Sequence, residues 1–146
     1  MSPLDTLLAE YGSQHRTRGN LVCHAFGITL ILYGVVAMLL TVPLPVAPWT
    51  AAEAAIAAMV LYDLRLNVVL ALAMLAETVL FDLLARALGD WRLGAAAFAA
   101  GWIFQAIGHG RFEKNRPAFF RNLLHLFVGP LFLWNELLRV RPVTRG

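Results

Sequence analysis

The sequence predicts an all-α fold, a polytopic transmembrane bundle of four to five apolar helices led by an N-terminal amphipathic helix. Three observations predict it. The 146 residues are 60% hydrophobic and only 14% charged, with mean hydropathy +0.68, whereas soluble domains carry about 25% charged residues. A soluble chain of this size leaves much of its surface exposed and has nowhere to hide that apolar fraction. The apolar residues also gather into runs, several near the roughly 20 residues that cross a bilayer, with polar or proline-rich breaks between them. The length suits a single domain, residues 1–146, and no internal repeat divides it.

Taken in order, the first ten to eighteen residues read as the amphipathic lead-in helix. Leu4, Leu7, Leu8 and Tyr11 fall at helical spacing, and Ser2 or Asp5 caps the start. The first apolar run, Leu21–Val42, is too long for the apolar region of a signal peptide, about 7–15 residues, and reads as a retained span. Pro43, Pro45 and Pro48 close it, because proline cannot continue a helix. A short second segment, Trp49–Tyr62, carries Glu53 and ends in the turn Asp63–Asn67. The third, Val68–Leu88, stops at Gly89-Asp90. The fourth, Leu93–Gly108, is rich in alanine and glycine, so it can approach neighbours closely. After the loop Arg111–Pro117, a fifth segment, Ala118–Leu138, carries Pro130.

The basic residues suggest an orientation. Arg16, Arg18, Arg65, Arg111, Lys114 and Arg116 all fall on one side of this topology, and the Pro43–Pro48 loop has none. The positive-inside rule puts that side in the cytoplasm. Five full spans would place Arg139, Arg141 and Arg145 outside, so either the Pro130 segment or the short second segment fails to cross. The net charge of +3 fits basic loops against anionic lipid and not nucleic-acid binding. The expected setting is a bacterial-type inner membrane, or an endoplasmic reticulum in a eukaryote. Cys23, the single cysteine, excludes an internal disulfide and reads as a small buried residue.

The histidines carry the functional signal. His15, His24, His109 and His125 come from distant stretches, yet the topology sets all of them at one depth, near the cytoplasmic face. Each has a polar neighbour at helical spacing: Tyr11, Asn20, Gln105 and Asn122 respectively. Such neighbours can hold the second ring nitrogen of an imidazole ligand. His15 and His24 are nine residues apart, which on one unbroken helix puts them on opposite faces, so a break at Gly19-Asn20 is required. A nitrogen-rich set suits Zn, Fe, Cu or Ni. No HExxH pattern occurs, which weakens a zinc-peptidase reading. Glu113, beside Lys114 and Arg116, reads as a surface ion pair or, near His109, as the carboxylate of a two-His-one-carboxylate iron site. Within the apolar segments, Asp82 and Arg86 read as an i,i+4 ion pair. Glu77 reads as a proton carrier or as a hydrogen-bond partner of a neighbouring helix.

Tyr11-x3-His15, Asn20-x3-His24 and the block Gln105-x2-Gly108-His109-x2-Phe112-Glu113-Lys114-Asn115-Arg116-Pro117-Ala118 together resemble the membrane 2-hydroxy fatty acid dioxygenases of phytosphingosine breakdown. Pro130 and Glu136 extend the resemblance over almost the whole chain. It implies an Fe(II)-dependent enzyme that uses O2 to shorten a 2-hydroxy fatty acid by one carbon. His15, His24 and His109 then fall on the family's histidines, and Glu113, Asn115 and Pro117 on its loop. His125 completes the expected metal set or supports it from behind, since relatives commonly carry Gln there. Glu113 and Arg116 are the expected catalytic residues, with Arg116 drawing in the substrate carboxylate. Two other classes remain open on the residues alone: a non-catalytic lipid-binding or helper protein with structural histidines, and a haem-binding electron carrier with axial histidines.

Overall fold

The computed structural model describes residues 2–113 and 125–143, with the side chains of His125 and Leu126 excepted. Among the described residues the protein is all α, with six α-helices and no strand: α1 (Pro3–Ser13), α2 (Arg18–Leu39), α3 (Ala51–Leu66), α4 (Val68–Leu88), α5 (Trp91–Ile107) and α6 (His125–Leu138). A π-helical turn, Gly108–Glu113, continues α5.

The helix boundaries follow local chemistry. Ser2 and Asp5 form a reciprocal capping box at α1. Thr17 caps α2, accepting from the Asn20 amide, so this helix begins three residues before the apolar run. The proline-rich link folds back on itself, with Leu44 N–H donating to the Trp49 carbonyl and Ala51 N–H to that of Val42. A second capping box, Thr50 and Glu53, starts α3. The expected turn over Asp63–Asn67 shrinks to one residue. α3 runs on through Leu66, and Asn67 ends it while its side chain accepts from the Val69 and Leu70 amides to start α4. Gly89, at φ 66°, ends α4 in the left-handed conformation that glycine adopts freely. Asp90 then caps α5.

Two helices, α2 and α4, are each long and apolar enough to cross a membrane, with mean hydropathies of 2.1 and 2.2. One flank of α4 exposes Val69, Leu72, Val79, Leu80, Leu83 and Leu84, a surface that water does not favour and lipid does. α6 spans fourteen residues, roughly 21 Å at 1.5 Å per residue, and packs on α1 and α4. The chain beyond it returns to α1. Asn135 holds the backbone of Arg141 through two hydrogen bonds, and Val143 lies against Gly12.

The core has two parts. One joins α1, α4 and α6 through Leu4, Leu8, Tyr11, Met74, Leu131 and Phe132. The other joins α2, α3 and α4 through Tyr33, Val36, Ala37, Ala52, Phe81 and Ala85. Some of the acidic residues in the apolar helices have defined partners. Arg86 bridges Asp82, at 2.9 Å, and Glu53, so the expected Asp82–Arg86 pair extends to a third residue. Glu77 accepts a 2.7 Å hydrogen bond from the Trp134 indole, which is the neighbouring-helix partner the sequence left open.

α2 and α5 form the tightest contact. A Cβ placed on Gly27 would lie 2.9 Å from the Gly101 carbonyl oxygen, and one on Gly34 would lie 2.5 Å from that of Gly94. Glycine is required here because any side chain would hold the backbones apart. Asn20 and Gly108 repeat the contact one heptad further on. Positions 20, 27 and 34 thus face 108, 101 and 94 in antiparallel register.

Candidate metal centre and acyl cavity

That register brings two distant histidines together. His24 lies on α2, four residues from Asn20, and His109 lies in the π turn just after Gly108. Their Nε2 atoms are 3.0 Å apart. His15 joins them from the link between α1 and α2. The ligand atoms of His15, His24 and His109 all lie within 4.8 Å of one another, and all three residues are buried. The rings meet edge to face, with centroids 4.1 to 5.0 Å apart.

The break that lets His15 and His24 point the same way is real, but it is not at Gly19-Asn20. It falls between Ser13 and Arg18, where α1 ends and Thr17 caps α2. Gly19 and Asn20 are already helical. Glycine is needed at 19 for another reason: a Cβ there would strike the Phe112 ring at 2.4 Å.

Each ring is oriented by something specific. His15 Nδ1 lies 2.7 Å from the Tyr11 carbonyl, so it donates there and Nε2 carries the lone pair. The Tyr11 ring stacks on His15 at 4.0 Å. The i,i+4 neighbour thus acts through its backbone and its ring face. Asn20 does not serve His24; its amide donates to Glu113 at 3.3 Å. Nδ1 of His24 is buried with no hydrogen-bond partner among the described residues. Gln105 lines the same cavity as His109.

Glu113 is not brought into the imidazole group. Its Oε1 accepts from the Arg16 and Thr17 amides at 2.7 and 2.8 Å, and from the Thr17 hydroxyl and Asn20 amide at 3.1 and 3.3 Å. It thereby ties the π turn carrying His109 to the chain between His15 and His24. Burial pushes its carboxyl up, but these hydrogen bonds outweigh burial and hold it below the usual carboxylate range. Arg116, with Lys114, Asn115 and Pro117, lies outside the described residues. So does Asn122. His125 opens α6, and its side chain is not described.

His24 and His109 are spaced as two ligands of one metal ion are. Two nitrogens about 2.1 Å from one ion and at right angles to each other lie about 3.0 Å apart, which is the His24–His109 separation. The buried, unpartnered Nδ1 of His24 belongs to a ring committed through its other nitrogen. The three rings stand at one end of a cavity of about 340 Å³. Its further lining is mostly apolar and comes chiefly from α2, α3 and α5, including Ile28, Val35, Leu39, Ile56 and Phe98, with Thr78 of α4 and Pro130 of α6.

No residue-level signal had announced the cavity. The glycine seam could have been read from the heptad spacing of Asn20, Gly27 and Gly34 against Gly94, Gly101 and Gly108. The capping role of Glu113 leaves no trace in local spacing, because its partners are more than ninety residues away.

No solved structure matches the chain. Over 42 residues it is 52% identical to the 2-hydroxy-palmitic acid dioxygenase MPO1 of Saccharomyces cerevisiae, a match covering 28% of this chain and 24% of the yeast protein. It thus spans about a quarter of that relative's length. The sequence pattern described as "2-hydroxy-palmitic acid dioxygenase Mpo1-like" matches residues 1–141. The chain belongs to the Mpo1-like family.

Proposed function

We propose that this protein is an Fe(II)-dependent dioxygenase that shortens 2-hydroxy fatty acids by one carbon at a membrane surface. The observation that carries the proposal is the convergence of His15, His24 and His109 at the head of an apolar cavity. The family and the yeast relative's name point to the same substrate class.

His15, His24 and His109 would hold the metal. Bound Fe(II) supplies a Lewis-acidic, redox-active centre at which O2 and a chelating substrate can meet. Three protein ligands leave positions for the substrate's carboxylate and adjacent hydroxyl. The protein's own contribution is placement. The Tyr11 carbonyl fixes the His15 tautomer. Glu113 acts as a positioning residue, binding the π turn to the start of α2. Arg116 draws in the carboxylate, and His125, at the start of α6, supports the centre. The apolar lining keeps water away and receives the tail.

The membrane arrangement follows the same reading. α2, α3, α4 and α5 cross as a four-helix bundle, and α6 stays on the side of α1. Arg139 and Arg141 then share a face with Arg16 and Arg18, which removes the conflict that five spans create. That face is cytoplasmic by the positive-inside rule.

The test is metal analysis of the purified chain, followed by anaerobic Fe(II) reconstitution and product mass spectrometry with 2-hydroxypalmitic acid and O2. The expected product is the acid one carbon shorter, with no Soret band. His15→Ala, His24→Ala and His109→Ala should each lose bound iron and turnover while inserting normally. Retention of turnover by all three would overturn the assignment.

A further inference from the structure

The cavity is more than a place for a tail, because both of its ends are defined. Ile28, Leu32, Val35 and Leu39 line it at three- and four-residue spacing, which is one face of α2. Ala52, Ile56 and Met59 of α3 form one wall, and Phe98, Trp102 and Gln105 of α5 the other. From His24 to Leu39 is fifteen residues of continuous helix, roughly 22 Å at 1.5 Å each. That exceeds half of the ~30 Å hydrocarbon core that two opposed lipid tails fill. At the near end stand the imidazoles. At the far end, Val36, Leu39, Ala52 and Ile56 line the cavity and also belong to, or pack on, the second core cluster. At that end the channel therefore meets packed core. Thr78 lies in its wall, but its hydroxyl proton is committed to the Met74 carbonyl at 2.8 Å.

We propose that this channel is a chain-length ruler: it takes one unbranched acyl tail, and Leu39, Ala52 and Ile56 set the longest tail whose head still reaches the imidazoles. The proposal rests on the reading above for the identity of the head group, while the tail is measured by binding alone. Lipid is as apolar as the channel, so extra methylenes gain little on entering it. Selection comes from the far end. A tail that overruns it overpacks the wall, a loss of roughly tenfold or more in affinity, equivalent to about 1.4 kcal/mol.

The experiment uses the full chain in nanodiscs, reconstituted with Fe(II) and kept anaerobic. Thermal stabilisation is measured across straight-chain 2-hydroxy acids from decanoic to lignoceric length. Met59 packs with the core cluster that contains Tyr11, and Ile56 with the far cluster. Met59→Trp should therefore cut off shorter tails than Ile56→Trp. Their separation of three positions spans ~4.5 Å of helix, or about three to four methylenes. Leu39→Ala, which removes bulk at the far end, should admit longer tails than the unmodified protein. One cutoff shared by all four proteins would overturn the proposal, as would equal binding of a methyl-branched isoprenoid acid. Adding O2 then separates the two readings. Shifted cutoffs without product retain the ruler and refute the dioxygenase. Product formation with one unshifted cutoff refutes the ruler alone.

Discussion

A single methyl group on Gly101 tests whether the α2–α5 seam is what assembles the metal centre. An alanine Cβ there would lie 2.6 Å from the Gly27 carbonyl oxygen and 2.9 Å from the Ile31 nitrogen, against 3.4 Å for ordinary contact. Both are backbone atoms of α2, so no side chain can rotate out of the way. The helices must separate by about 0.8 Å at this point, and the expected cost is about 1–3 kcal/mol of stability. Gly27 is three residues from His24, so the retreat reaches the 3.0 Å His24–His109 pair almost undiminished. Misplacement of about 1 Å can cost ~100-fold in rate, and disturbed ligand support costs about 10–100-fold in metal affinity. Gly34→Ala is the paired control. It meets the Gly94 carbonyl at 2.5 Å, a similar clash ten residues along α2 from His24. It should destabilise comparably but spare the metal. Gly110→Ala, with nothing within 4 Å of the new Cβ, should be silent. The assay is iron affinity, turnover and thermal unfolding of all three proteins in one lipid. If Gly101→Ala bound iron and turned over within about twofold of the parent, the seam would not be positioning the imidazoles.

Other consequences are equally direct. Glu113 has a depressed folded-state pKa, so its stabilisation is complete above the ordinary carboxylate pKa and is lost as pH falls through the lowered value. The parent should therefore lose stability on acidification faster than Glu113→Gln, read as unfolding temperature against pH, and parallel curves would refute the capping role. Glu77→Gln keeps an acceptor for the Trp134 indole and should leave turnover intact, whereas Glu77→Leu should cost about 1–3 kcal/mol; loss of turnover in the glutamine variant would instead make Glu77 a proton carrier. Tyr11→Phe keeps both the backbone carbonyl that holds His15 and the stacked ring, so iron affinity should stay near that of the parent. Tyr11→Ala should weaken it, and equal iron affinity in both would mean that the stack does not orient His15.

The fold was legible wherever a local rule decides it. Capping residues and helix breakers mark their own positions, so the segment expected at about Val68–Leu88 matches α4, and Gly89-Asp90 ends it as expected, while Asp90 caps α5, which starts at Trp91, two residues before the expected Leu93. Errors arose where tertiary contact outweighs local signal. Asp63, Leu64 and Arg65 look like a turn by polarity, yet α3 continues through them, with Asp63 buried at 1% exposure. His109 looked like the end of an ordinary helix. It stands instead in a π turn, a widened geometry that recurs at functional sites, and no spacing rule announces it.

The candidate site shows why depth was predictable and contact was not. Topology alone sets His15, His24 and His109 near one face, since each lies close to a helix end on the same side. Depth, however, leaves rings free to point apart. Three long-range devices remove that freedom. Glycines spaced by seven on two antiparallel helices fix their rotation and separation together, because a heptad keeps one seam facing the partner. Glu113 then fastens the π turn to the α1–α2 link by four hydrogen bonds to one oxygen. Finally, α1 packs its Leu4, Leu8 and Tyr11 face on α6, which carries His15 inward by way of the Tyr11 carbonyl. The seam sets the His24–His109 separation, whereas α1 acts on His15 alone, so weakening the α1–α6 packing should displace His15 while His24 and His109 stay paired.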